Sequence, residues 1–197
     1  GSALTSIGRD AFYECKSLSG TLSLPASLTT LGMYAFRDCT GIERLEWHVP
    51  AHPDGNNRNP VLYDINAANG LQVVIGKEVQ RVPGYFLSKC NASSLTFEDG
   101  CQCTAIGDVA FAGAMLSGSL VLPSTITEIG TYAFSGNSLL SSIHIPSSVN
   151  KIGRYAFYEC TNVNNLYFGP AEFTLTGGRG SADVFYRLVK DAGGVNL

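Results

Sequence analysis

Six cysteines, three histidines and 16 acidic residues are the groups in this 197-residue sequence that can ligate a metal, attack a substrate or move a proton. His48 and His52 stand four apart with Asp54 close by. That spacing places two imidazoles together only on a helix. Pro50 and Pro53 lie in and beside the window, and proline breaks a helix interior. No third ligand is at hand, so the pair reads as solvated loop histidines. Cys101-Gln102-Cys103 offers two thiols, but a structural zinc site needs four ligands. No His or Cys pair is placed to complete it. These two read as loop or partly buried thiols, with a disulfide or redox role as the alternative. No Gly-x-Ser-x-Gly elbow, phosphate-binding loop or His-Glu-x-x-His phrase occurs. Gly177-Gly178-Arg179-Gly180 fits a turn, and Asn91-Ala92-Ser93 is a glycosylation sequon. The expectation is a chain with no catalytic residues, no metal ligands and no cofactor, and so not an enzyme.

The remaining cysteines are regular. Cys15, Cys39, Cys90 and Cys160 each follow an Ala-Phe pair, or its equivalent, by three residues. Ala114 and Asn137 hold the same position in other copies. The position reads as small buried packing, with a disulfide between neighbouring units, such as Cys15 with Cys39, as the alternative. The phrase before it recurs as Ile7-Gly8-Arg9-Asp10-Ala11-Phe12, then from Leu31, Ile106, Ile129 and Ile152, with a degenerate copy from Val82. The spacings are 24 from residue 7 to 31 and 23 from 106 to 129 and from 129 to 152. Leu31 to Val82 spans 51, room for two units with extra residues. A fixed period of this length marks a stacked repeat, whose units bury their apolar faces only against neighbours.

Between copies lies a second phrase: Leu22-Ser23-Leu24-Pro25, Leu120-Val121-Leu122-Pro123 and Ile143-His144-Ile145-Pro146. Weaker versions are Leu45-Glu46-Trp47, Val73-Val74-Ile75, Leu95-Thr96-Phe97 and Leu166-Tyr167-Phe168. Apolar-x-apolar is a period of two, so the flanking residues point to the core and the middle one away. Seven short strands follow, stacked in parallel at about 4.8 Å per unit. Glycine after the Ile permits a tight or left-handed turn, and Ala-Phe fits a short helical turn.

The phrases Val163-x-x-Leu166-x-Phe168, Ile42-x-x-Leu45-x-Trp47 and Leu140-x-x-Ile143-x-Ile145 resemble the leucine-rich repeat, and the full unit is similar to its BspA-like class. The resemblance covers about residues 3–170. It lapses at 48–72, rich in proline and asparagine, and after Pro170. It implies an α/β repeat solenoid, a right-handed coil of about seven units with a parallel sheet on the concave face and short helical turns on the convex one. It further implies an extracellular or cell-surface module that recognises protein or glycan, adhesive to host or neighbouring cells, since the class is associated with such proteins of anaerobic bacteria and some protists.

On that fold the outward residues of the concave strands, Ser23, Glu46, Val74, Thr96, Val121, His144 and Tyr167, form the candidate binding face. Arg44 and Asn165 lie just before their strands. Tyr167 beside His144 suits an anchor for a protein loop or a sugar ring. The 48–72 stretch is a second candidate, as a projecting insertion or a decayed repeat, with Trp47 packing beneath it. Residues 171–197 read as a C-terminal cap, with a strand at 173–176 and an amphipathic helix over 182–190. The chain starts inside a repeat, so further repeats or a cap are expected before residue 1. A net charge of −3 with no Lys/Arg cluster speaks against a nucleic-acid partner. No apolar run is long enough to insert in a membrane. A passive spacer within a larger surface protein is the alternative to a binder.

Overall fold

The computed structural model describes residues 3–62, 64–65, 67–176 and 184–185. Its strands run β1 (Ser6–Ile7), β2 (Gly20–Leu24), β3 (Thr30–Leu31), β4 (Ile42–Trp47), β5 (Leu71–Ile75), β6 (Arg81–Val82), β7 (Ala92–Phe97), β8 (Ala105–Ile106), β9 (Ser117–Val121), β10 (Glu128–Ile129), β11 (Leu139–Ile145), β12 (Lys151–Gly153), β13 (Asn165–Phe168) and β14 (Thr174–Thr176). Seven longer strands coincide with the seven apolar-x-apolar phrases. They stack in parallel in two sheets, β2-β4-β5-β7 and β9-β11-β13. The alternating short strands form ladders of their own, β1-β3 and β6-β8-β10-β12-β14. These second ladders carry the Ile of each Ile-Gly phrase; β14 falls on the strand expected at 173–176, and the others were not anticipated. The result is a parallel β-solenoid of about seven turns.

Among the described residues there is no helix, which corrects the expected helical turns. The cause is a left-handed residue before each Ala-Phe pair: Asp10, Tyr34, Tyr85, Val109, Tyr132 and Tyr155, with φ between 51° and 61°. A second stands four residues on, at Glu14, Asp38, Lys89, Gly113, Gly136 and Glu159. Each costs about 1–2 kcal/mol in a residue with a Cβ and ends any right-handed helix. The backbone donors show what offsets that cost. In one coil Tyr132, Phe134 and Gly136 donate to Arg154, Ala156 and Tyr158 of the next coil at 2.7–3.0 Å. The donors between them, Ala133 and Ser135, close three-residue turns on Gly130 and Tyr132. A helix would direct every N–H inward along its own axis; here every second one joins two coils.

Of the tight or left-handed turn expected at the glycines of the Ile-Gly phrase, the left-handed alternative does not occur. None of Gly32, Gly107, Gly130 and Gly153 has a positive φ. A Cβ at each would lie 2.2–2.6 Å from backbone atoms of the preceding coil, so glycine sets how closely the coils approach.

Phenylalanines run through the core as a column. Phe111–Phe134 and Phe134–Phe157 stack at 5.5 Å and Phe157–Phe185 at 5.8 Å, all within 9° of parallel. The column reaches Phe185, and Phe157 N donates to Val184 O, so coil-on-coil stacking runs on beyond residue 170. Strand β14 likewise pairs with β12. Most of the helix expected at 182–190 lies outside the described residues.

All six cysteines are free thiols. Cys39, Cys90 and Cys160 donate Sγ–H to Phe12 O, Leu62 O and Phe134 O of the preceding coil at 3.0–3.3 Å. Asn137 does the same with an amide: it donates to Phe111 O and Phe134 O, and accepts from Leu116 N. In these four coils the position holds a small buried donor, while Ala114 fills it by packing alone. Burial pushes the Cys90 thiol up to about 11 and that of Cys160 to about 12. Cys101 and Cys103 are buried as well.

Residues 48–72 build a distorted coil. Val49, Leu62, Ile65 and Ala67 are core. Val61 and Leu62 donate to Tyr85 O and Phe86 O, and Asp38 N donates to Asp64 O, so the segment bonds to both neighbouring coils, through consecutive donors where the regular repeats use every second one. The short-strand ladder breaks here, where Pro50 and Pro53 supply no N–H. Asp54 ties the segment down, accepting from both Nη atoms of Arg81 and from Gly84 N. Trp47 is fully buried against Phe86 and His52, as expected beneath this stretch.

Candidate functional site

Parallel pairing places the outward residues in rows. Ser23, Glu46, Val74 and Thr96 stand in register on β2, β4, β5 and β7. Val121, His144 and Tyr167 do so on β9, β11 and β13. The predicted stripe thus divides into two parts of different character.

In the first part Arg44, Glu46 and Thr96 are engaged within the chain. Arg44 Nε donates to Glu46 Oε1 at 3.0 Å, and Thr96 Oγ1 to Val73 O at 3.3 Å. Val74 is only 6% exposed, which corrects its assignment to an open surface. It points away from the core as alternation requires, and it is absent from the contiguous core cluster. It stands in register between Glu46 and Thr96, and that row shields it.

The second part is open. Val121 and Tyr167 are each 55% exposed. The His144 and Tyr167 rings stack with centroids 3.9 Å apart and planes 22° off parallel. With Ile145, Pro146 and Phe168 they line a groove of about 670 Å³. A polar row runs alongside: Ser142 Oγ donates to Ser119 Oγ at 2.8 Å, and Ser142 pairs in register with the exposed Asn165. An apolar and aromatic strip flanked by hydroxyls and an amide has the make-up of an interface core and its rim. The stacked pair holds two large side chains in place before any ligand arrives, which lowers the ordering cost of binding.

The histidines separate. His52 Nδ1 faces Pro53 O at 2.8 Å, and His48 turns to later coils, 3.2 Å from Glu78 Oε2. The partner of His48 was missed from sequence because Glu78 lies 30 residues downstream.

Stacked parallel strands with a buried leucine-type core and an outward row from each strand define a leucine-rich-repeat solenoid. The chain belongs to the BspA-type leucine-rich repeat family, whose model matches it in six copies over residues 1–52 and 66–177. The unmatched residues between the two stretches, 53–65, lie within the distorted coil, and 178–197 are also unmatched. No curated protein matches the sequence. Two solved structures are similar. One is a leucine-rich cell surface protein of Faecalibacterium prausnitzii A2-165, at 22% identity and TM-score 0.44 over 83% of this chain and 58% of that one. The other is a leucine-rich repeat protein of T. pallidum, at 22% identity and TM-score 0.48 over 89% of this chain and 68% of that one. The chain therefore spans well under two thirds of the length of the F. prausnitzii protein. No helix among the described residues is long and apolar enough to cross a membrane.

Proposed function

We propose that the chain is a cell-surface recognition module, adhesive and not catalytic, which binds a protein partner on the face of β9, β11 and β13. The observation that carries this reading is the exposed Tyr167, stacked on the half-buried His144, beside the exposed Val121. Exposed aromatic surface next to an aliphatic contact and a polar rim is where interface energy concentrates. Family membership supports a surface location, in keeping with the roles associated with that class. The engaged side chains of the Arg44 to Thr96 part support placing the site in the second half of the face.

The test is binding of the wild type and of His144→Ala with Tyr167→Ala to an array of matrix proteins and glycans, with circular dichroism confirming the fold of the variant. A protein hit lost in the variant, by tenfold or more, is the expected result. A hit confined to glycans would replace the partner class. A hit retained at full strength would remove this face from the proposal. Absence of any hit would favour a spacer.

A further inference from the structure

One position at the end of the long strands departs from the repeat. Pro25, Pro146 and Gly169 hold it in regular coils, and three successive coils carry His48, Gly76 and Glu98. The backbone confirms the equivalence. His48, Gly76, Glu98 and Gly169 each donate their N–H to the carbonyl at the end of the preceding long strand, from Leu24, Trp47, Ile75 and Ile145. Coils stack about 4.8 Å apart, so His48 and Glu98 flank Gly76 with one coil between them. A Cβ on Gly76 would lie 2.2 Å from His48 Nδ1. The missing side chain is the space into which the imidazole leans. Glu78 rises from the same coil as Gly76, its Oε2 3.2 Å from His48 Nδ1, and Lys77 N donates to Glu98 Oε2 at 3.0 Å.

One nitrogen and two carboxylate oxygens therefore converge over Gly76, all within 4.8 Å of one another. We propose that His48, Glu78 and Glu98 form a binding site for a divalent cation of the zinc class. Three protein ligands from His, Glu and Glu leave a fourth position open, as in zinc sites that keep a water. Two carboxylates and a neutral imidazole carry a charge of −2, which the ion balances. Ligands at about 2.0–2.2 Å in a tetrahedron stand about 3.3 Å apart, close to the observed His48–Glu78 separation. The ligands come from three coils, so the ion would clamp the distorted 48–72 coil to its neighbours. The His48–Glu78 and Lys77 N–Glu98 hydrogen bonds account for the separate pairs, but not for the convergence of all three groups over Gly76. The site is separate from the Val121–Tyr167 face and does not depend on it.

The experiment is titration of tag-free protein with Zn²⁺ by calorimetry, and with Co²⁺ by visible absorption as a reporter of coordination geometry. Thermal unfolding is followed with and without Zn²⁺. The wild type should bind one equivalent saturably and melt higher with metal. Loss of an outer-shell partner already costs 10–100-fold in metal affinity, so His48→Gln and Glu98→Gln, each checked for fold, should lose at least about tenfold. Gly76→Ala should weaken binding with every ligand retained. If the wild type shows no saturable binding at millimolar Zn²⁺, the proposal is overturned. If both Gln variants bind like the wild type, the metal sits elsewhere, on thiols for example, and the proposal is equally overturned.

Discussion

Replacing Gly153 with alanine tests what the glycine of the repeat is for. A Cβ at Gly153 would lie 2.2 Å from Thr131 N and 2.4 Å from Gly130 C, both backbone atoms of the preceding coil. Restoring ordinary contact near 3.4 Å requires the two coils to part by about 1.2 Å. The bonds from Tyr132 N to Arg154 O and from Phe134 N to Ala156 O, now 3.0 and 2.8 Å, lie across that gap. A gap of 0.5–1 Å already forfeits a quarter to a half of each dispersion contact. Overpacking of this kind costs about 1–3 kcal/mol. For a chain of this size each kcal/mol is worth about 2–4 °C, so Gly153→Ala should lower Tm by roughly 2–12 °C.

Gly8 provides the internal control. It holds the same repeat position, and a Cβ there meets nothing within 4 Å. Neither glycine has a positive φ, so alanine strains neither backbone. Removing a glycine from the unfolded chain stabilises by about 0.4–1 kcal/mol where the native site accepts it. Gly8→Ala should therefore leave Tm unchanged or raise it slightly. The assay is thermal unfolding by circular dichroism at matched concentration. If glycine were needed for turn freedom, both variants would fall together. Equal shifts in the two, in either direction, would refute the close-approach argument.

Two further outcomes follow from buried and charged groups. Asn137→Ala leaves Leu116 N without its partner, while Phe111 O keeps Ala114 N and Phe134 O keeps Cys160 Sγ; at about 1–3 kcal/mol per orphaned buried group it should cost about 1–3 kcal/mol in denaturant unfolding, and Asn137→Cys, which restores a donor to Phe111 O, should recover part of that. Asp54 has its carboxyl held below the usual range by its hydrogen bonds with Arg81, so its contribution is complete above the unfolded value of about 3.9 and lost as pH falls through the lower folded one. The stability difference between wild type and Asp54→Asn should thus be flat from pH 5 to 7 and shrink below pH 4.

The long strands were legible because their signal is local. Leu22-Ser23-Leu24 and its six counterparts show a period of two, and the period of 23–24 fixes how they stack. The short strands, β14 apart, and the turn geometry were not. Ala110-Phe111 looks like helix-forming sequence, and nothing in Val109 or Tyr132 announces a left-handed backbone. That conformation is imposed by hydrogen bonds to the next coil, which no window of one repeat contains. Val74 shows the same limit on the binding face. Alternation gave its direction correctly, and its burial depends on Glu46 and Thr96, residues of two other coils.

The same reasoning separates the two kinds of departure from the repeat. At the buried donor position, Asn137 in place of cysteine preserves the function of the position, donation to a phenylalanine carbonyl of the preceding coil. It is a structural synonym, and sequence alone reads it as mere tolerance of small residues. At the strand end, His48 and Glu98 replace residues that offer no side-chain donor or acceptor, and they do so on either side of a glycine whose missing Cβ lets them approach. No structural duty of the position calls for an imidazole or a carboxylate, because Pro25 and Pro146 discharge it without either. Once 48–72 is placed as a coil, His48, Gly76 and Glu98 fall into one column, although 50 residues separate the first from the last. A substitution that keeps the interaction is explained by the fold; one that gathers an imidazole and two carboxylates from three coils, beyond the single backbone bond Glu98 accepts from Lys77 N, points to a ligand.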